Sequence, residues 1–480
     1  MSGVAVFLLG VIGLLGINKE PIDKHASTDS VSAASIDTVL TVERILIIGN
    51  KVTRDRIILR ELSLHPGDTV KSSMLSGIIQ RDKNKVYNLR LFNTSTIRVL
   101  ALPDNKIDLL IEVSERWYTF PNPIFELSDR NFNEWWQNYN HDFNRVNYGL
   151  RLSQYNFRGR NETLKLTGQF GYTRRFDLNY RIPNMGASQK HGLAFGFDYR
   201  EPKNMAYFTE NHKLLFLESK ETLKRTFGVN ASYSYRKSFY QTHSVTLEFR
   251  NSRVNDTIPK LNPNYYSYGS AHQRFFSISY TFNSDHRDVA AYPLKGFLFN
   301  GYISKVGLGF EGSVNQLETN VSHALFFDLK KKFYLSNLTA AYVSVPLQQP
   351  YALYGALGYR QQFIRGYEIY VIEGPQFFLN KTTLKKRIFS RVWQTNFMPL
   401  SQFRHFPVDI YLKTYADAGF VQNYKRYETE DINTRLSNRF LTGFGGGLDL
   451  VLLYDTVLRF EYTFTREGTR GFFFHIKKEF

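Results

Sequence analysis

The chain has 480 residues, 41 Phe and 31 Tyr, and no cysteine, which excludes disulfides, thiolate zinc sites and a cysteine-acylated lipoprotein signal. Aromatics at 16% with a mean hydropathy of -0.34 suit sheets that have one apolar and one polar face. The net charge of +18 comes from Lys and Arg scattered along the chain without forming a patch. That distribution fits a protein beside anionic lipid or with a basic lumen, and argues against a nucleic-acid partner. The first element is the apolar run at residues 4–17, "VAVFLLGVIGLLGI". It is short for a spanning helix and suits the core of a secretory signal, although no basic residues precede it. A polar tract at 19–35 follows as cleavage region and linker, so residues 1–40 are set apart from the folded body.

Residues 41–116 form a compact mixed unit. "VERILIIGN" alternates, is rich in β-branched residues and predicts a strand that ends in a Gly-Asn turn. Thr53 is then placed to cap a helix over "RDRIILREL", which "HPGD" breaks. Met74, Leu75, Ile78, Ile79, Val86 and Leu89 recur at helical spacing and predict a second helix. "STIRVLA" and "KIDLLIEVSE" are strands joined at Pro103-Asp104-Asn105. The order is β-α-α-β-β, followed by a junction segment at 117–145.

From Val146 the period becomes two. "RFDLNYRI" sets Phe176, Leu178, Tyr180 and Ile182 against Arg175, Asp177, Asn179 and Arg181. "FFSISYTFN" sets Phe276, Ile278, Tyr280 and Phe282 against Ser277, Ser279 and Thr281. "VLRFEYTFT" sets Leu458, Phe460, Tyr462 and Phe464 against Arg459, Glu461 and Thr463. About 16 such strands fit residues 146–480, joined by alternating short and long connections. One face is aromatic and the other carries charges of both signs. Lipid admits sheets only as closed barrels, because an open edge leaves backbone groups unsatisfied. The fold class is therefore mainly β, a transmembrane antiparallel barrel behind one α+β domain. The terminal strand "GFFFHIKKEF" puts Phe472, Phe474, Ile476 and Phe480 on one face, and resembles the carboxyl-terminal signal of outer-membrane barrels.

Together these segments resemble the BamA/TamA superfamily, in which periplasmic POTRA domains precede a 16-stranded outer-membrane barrel. "IIGNKVTRDRIILRELSLHPGD" is close to the POTRA pattern. "SDHRDVAAYPLKGFLF" is similar to the family's strand-turn-strand motif, with Asp285, Arg287, Asp288, Pro293 and Gly296 at its marked positions. "FIRGYE" resembles the tip of the long sixth extracellular loop, and "YADAGF" the strand that receives it. The resemblance implies that the loop folds into the lumen, where Arg365 meets Asp417 beside Gly419, Gly366 makes the tight tip and Tyr367 packs on the wall. Asp409, Lys413 and Asp417 share one face by parity, which agrees. Where relatives carry a second loop-facing carboxylate on the preceding strand, this chain has Asn396, so no second acidic partner is expected there.

No enzyme motif competes. "GLGFEG" matches a Gly-x-Gly-x-x-Gly pattern, but no helix follows to hold a pyrophosphate. Gly-x-Ser-x-Gly and His-Glu-x-x-His are absent from the sequence, and no metal or other cofactor is expected. The resemblance implies a bacterial outer-membrane protein with its POTRA domain in the periplasm. Such a protein assembles, inserts or translocates polypeptides. The implied partners are membrane lipid, an unfolded or extended polypeptide and periplasmic accessory proteins. A weak seam is expected between a first strand near 146–155 and the last strand. The alternative is a passive pore or surface anchor plugged by its sixth loop. A single POTRA points to a specialised role.

Overall fold

The computed structural model describes residues 37–127, 146–309, 314–358, 362–394 and 405–476. The apolar run at 4–17, Asn396 and Phe480 lie outside the described residues.

The first unit comprises β1 (Val39–Ile48), α1 (Asp55–Leu59), β2 (Thr69–Lys71), α2 (Ser72–Asn88), β3 (Phe92–Ala101) and β4 (Lys106–Glu115). Its sheet has the order β2-β1-β4-β3, with β1 parallel and β3 antiparallel to β4. Ile57, Ile58, Val86, Phe92 and Ile111 close the core between helices and sheet, burying apolar surface that either layer alone would leave in water. Three local expectations are corrected. A short strand, β2, stands between the two helices, so the order is β-α-β-α-β-β and not β-α-α-β-β. The first helix is one turn shorter than "RDRIILREL" predicts, because its end tightens into i+3 bonds from Glu61 N–H to Ile58 O and from Leu62 N–H to Leu59 O. Thr53 does not cap that helix. Arg54 stands at the N-cap without a side-chain bond, while the Thr53 hydroxyl donates to Glu115 at 2.6 Å and accepts from Asn156 Nδ2 at 2.8 Å.

The barrel wall begins with β5 (Thr119–Leu127), β6 (Val146–Phe157), β7 (Glu162–Gly171), β8 (Thr173–Met185) and β9 (His191–Pro202). A hairpin of β10 (Asn204–Glu210) and β11 (Lys213–Glu218) stands apart from the wall. The wall resumes with β12 (Lys224–Arg236), β13 (Gln241–Val254), β14 (His272–Asp285), β15 (Gly296–Val306), β16 (Gln316–Asp328) and β17 (Phe333–Val345). In the connection to the next wall strand lies a two-residue ladder of β18 (Ala356–Leu357) and β19 (Ile372–Glu373). The wall ends with β20 (Gln376–Gln394), β21 (His405–Gln422), β22 (Phe440–Val451), β23 (Val457–Thr465) and β24 (Arg470–Ile476). All 16 wall strands belong to one antiparallel sheet.

The expected placement of the first strand is corrected. The ladder starts at β5, inside the stretch taken as junction, and Val146 opens its second strand. Pro121 and Pro123 hide this strand from a periodicity argument, since proline is tolerated in sheets only where its missing N–H is not needed. Here it is not needed. Tyr155 N–H bonds Tyr118 O, and the register from Thr119 to Leu127 is unbroken, so the even-numbered backbone groups of β5 face β6. Pro121 and Pro123 point the other way, to the free edge of the ladder.

The barrel is apolar outside and polar inside. On β23, Phe460, Tyr462 and Phe464 are exposed while Arg459, Glu461 and Thr463 are buried. This inversion of the soluble pattern is what a hydrocarbon surround requires. The first unit abuts the ends of the short turns. Arg54 N–H bonds Gly159 O, Arg236 forks onto Glu61 at 2.6 and 2.8 Å, and Arg116 pairs with Asp455 at 3.0 Å. Those turns therefore mark the end of the barrel at which the first unit sits, the end expected to be periplasmic, and the long connections mark the opposite end.

Candidate functional site

The connection from β17 to β20 turns back into the barrel, and its tip lies on the inner faces of β20 to β23. Strand pleat selects what lines this wall, since alternate residues point inward. β20 supplies Lys381 and Thr383, β21 supplies Lys413, Tyr415 and Asp417, and β23 supplies Arg459 and Glu461, all buried.

Arg365 is 3% exposed. Its Nε and Nη2 donate to the two Asp417 carboxylate oxygens at 2.9 and 2.5 Å, a bidentate fork with the planar match that guanidinium and carboxylate allow. Its backbone N–H also donates to Asp417, at 3.1 Å. Nη2 reaches Thr383 Oγ1 at 3.0 Å and Nη1 reaches Glu461 Oε1 at 3.4 Å. The guanidinium lies 3.8 Å from the centre of the Tyr415 ring, within cation–π range. A second acidic partner does exist, then, and it comes from β23 and not from the strand that precedes β21.

The tip fits because the wall under it has no side chains at two points. A Cβ at Gly443 would stand 2.0 Å from Arg365 O, and one at Gly419 would stand 2.5 Å from Ile364 Cδ1. Gly366 holds φ +93°, where an L side chain is strained. Tyr367 is buried, and its hydroxyl donates to Glu467.

The charges continue down the lumen. Lys413 Nζ lies 2.9 Å from Glu461 and 2.6 Å from Asp449. Arg459 joins Asp449 at 3.2 Å, and Tyr292 donates its hydroxyl to the other Asp449 oxygen at 2.8 Å. Tyr292 belongs to the turn between β14 and β15, where Arg287 pairs with Asp285 at 2.6 Å. Asp288 Oδ1 accepts the N–H groups of Val289, Leu294 and Lys295, Pro293 is buried and Gly296 holds φ +102°. Loop tip and turn motif, separate in sequence, are thus joined by one chain of buried polar contacts. Glu461, Lys413, Asp449 and Tyr292 were not singled out as site residues. Alternation in "VLRFEYTFT" had already placed Glu461 on the polar face. Phe474 and Ile476 on β24 face outward and are exposed, away from this site. Among the described residues no group of three or more His, Asp or Glu is placed to hold a metal ion.

Residues 156–480 match the Omp85 superfamily domain, and residues 40–116 match a POTRA family described as surface antigen variable number repeat. No curated protein matches the chain. Among solved structures the chain is similar to CdiB from Escherichia coli, with a TM-score of 0.52 and 11% identity, over 92% of this chain and 74% of that one. It also matches BamA from Haemophilus ducreyi lacking POTRA domains 1–3, with a TM-score of 0.49 and 14% identity, over 91% and 83% of the two chains. With the Omp85 match covering most of the barrel and the POTRA match covering the unit before it, the chain belongs to the Omp85 superfamily, a barrel of the bacterial outer membrane with its POTRA domain in the periplasm.

Proposed function

We propose that this barrel passes polypeptides into or across the outer membrane, with the POTRA sheet capturing an extended client and the seam between β5 and β24 receiving it. The observation that carries the proposal is the chemistry of the β5 edge. Among the described residues no backbone pairing joins β5 to β24. At two positions on that edge proline leaves no N–H to donate. An edge short of donors closes weakly on its own partner strand and stays available to an incoming strand. In the POTRA sheet β3 is likewise an edge, paired only with β4 among the described residues, and ten residues long. That suits capture by strand addition.

The Arg365 contacts give the loop a role in this scheme as a brace. It holds the wall from β20 to β23 in one curvature, so that strain from an opening seam falls on the β5 side. The test is a disulfide lock. Cysteines replace Asn122 on β5 and, in turn, Gly471, Phe473 and His475 on β24. The oxidised barrel is expected to keep its heat-modifiable gel mobility and to lose function, read as client delivery to the membrane, with reduction restoring it. Full activity in a locked barrel excludes lateral opening and favours the passive pore or anchor.

A further inference from the structure

β20 and β21 have 19 and 18 residues, whereas no other wall strand exceeds 14. Their neighbours stop early. β17 ends at Phe333, opposite Lys386, and β22 ends at Val451, opposite Asp409. β20 and β21 stay paired to Gln394 and His405. A two-stranded ribbon therefore projects from the periplasmic rim. Such a ribbon with nothing against it is marginally stable in water, so its faces show what it expects to meet.

The register slips between Arg387 and Phe389. Beyond it, Phe389 opposes Ile410, Arg391 opposes Val408 and Trp393 opposes Phe406. Cross-strand partners share a face, and Ile410 shares the face of Leu412, which is exposed on the outer wall. This side of the ribbon therefore continues the lipid-facing surface of the barrel. The Phe389 and Trp393 rings lie 5.8 Å apart, and the Arg391 guanidinium is 5.9 Å from the Trp393 ring. Beside them is the turn from β16 to β17, where Lys330, Lys331 and Lys332 are all exposed. Arg387 N–H bonds Lys332 O at 3.0 Å, and Lys386 Nζ lies 4.8 Å from the Phe333 ring. The carboxylate in this turn, Asp328, accepts the Lys330 backbone N–H. The consecutive Lys330, Lys331 and Lys332 thus join Lys386 and Arg391, from a distant part of the sequence, in a patch around an aromatic pair.

We propose that this ribbon lies along the periplasmic leaflet and that Lys330, Lys331, Lys332, Lys386 and Arg391 bind the phosphates of anionic phospholipid headgroups. Aromatic rings with Lys and Arg at their rim are the composition of a membrane interface. Continuity with the lipid-facing wall puts the patch at headgroup depth, where positive charge meets anionic lipid. The consequence is a barrel pinned at one sector of its rim, four strands from the end of the ladder at β24.

The experiment uses the full chain with Trp117, Trp135 and Trp136 changed to Phe, leaving Trp393 as the sole tryptophan, in vesicles containing chain-brominated phosphatidylglycerol or brominated phosphatidylcholine. Trp393 fluorescence is expected to be quenched more by the brominated phosphatidylglycerol. Lys331→Ser, Lys332→Ser and Arg391→Ser combined are expected to lower that preference by about tenfold or more, given the attraction of each cation to an anionic surface. Native mass spectrometry of the unsubstituted protein, counting retained phosphatidylglycerol against phosphatidylcholine, gives the same comparison without any mutation. Equal quenching and equal retention of the two lipids overturn the headgroup site. Absence of quenching places the ribbon in the aqueous periplasm as a surface for a soluble partner, and overturns the proposal entirely.

Discussion

Arg365 is held in the lumen by five hydrogen bonds to three residues, and its energetics can be isolated. A buried charge is costly unless it is paired and hydrogen-bonded, and here the fork to Asp417 is completed by Thr383, Glu461 and the Tyr415 ring. Arg365→Ala leaves Asp417 with the backbone N–H of residue 365 and the more distant Lys381, at 4.0 Å, and takes away the guanidinium fork. Removing one partner of a buried pair costs about 3–5 kcal/mol. The unfolding temperature of the purified barrel is expected to fall for Arg365→Ala and for Asp417→Asn, while the double variant is little worse than either. Strictly additive losses would show that the two residues are not coupled. Arg365→Lys should rescue only in part, because an ammonium keeps the charge but cannot make the planar two-point contact.

At the scale of elements, the outer loops are held together at His212, in the turn of the β10–β11 hairpin. Its backbone N–H donates to Asn433 Oδ1 at 2.7 Å, its Nε2 accepts the Leu436 N–H at 2.9 Å, and its carbonyl accepts from Val371 at 2.9 Å. Three connections thus meet at one buried residue, two through its backbone and one through its ring. Because Nε2 accepts, the neutral ring carries its proton on Nδ1, and a second proton would face the Leu436 N–H. Burial, with Arg435 adding repulsion, lowers the His212 pKa from 6.5 to about 4. The unfolded loop binds the proton first, so the stabilisation is complete above about pH 6.5 and is lost as pH falls towards 4. Amide protection in residues 423–439, taken relative to the intrinsic exchange rate at each pH, is expected to fall between pH 7 and pH 4.5, and His212→Asn should flatten that dependence. Equal protection at both pH values, so corrected, would remove the histidine from the clamp. At the other end, Thr53 and Glu61 face the barrel turns, so the segment around α1 forms the contact surface of the POTRA unit together with Asn88 and Arg116.

Among the described residues the wall is a ladder of 16 strands, in which paired neighbours satisfy one another's backbone groups, but not along the outer edges of β5 and β24 or the outer sides of the projecting end of β20 and β21. Such a barrel resists detergent until heated, so the chain should fractionate with the outer membrane and migrate faster unheated than boiled. Identical mobility in both states, or recovery as a soluble periplasmic protein, would contradict the barrel. Alternation alone determined the fold class and the facing of individual strands, because in lipid the apolar side must point outward; Phe460 and Tyr462 face out and Glu461 faces in. The POTRA unit was legible from helical spacing and turn residues for the same local reason. Two things were not. β5 carries two prolines that local rules read as a break, and only its place at the edge of the sheet makes them harmless. The partners of Arg365 were legible only in part. Glu461 lies 96 residues away on β23, and period two states which face a residue takes without stating which lumen residues stand opposite one another. Barrel curvature decides that, because it brings strands that are not adjacent in the ladder across the same interior.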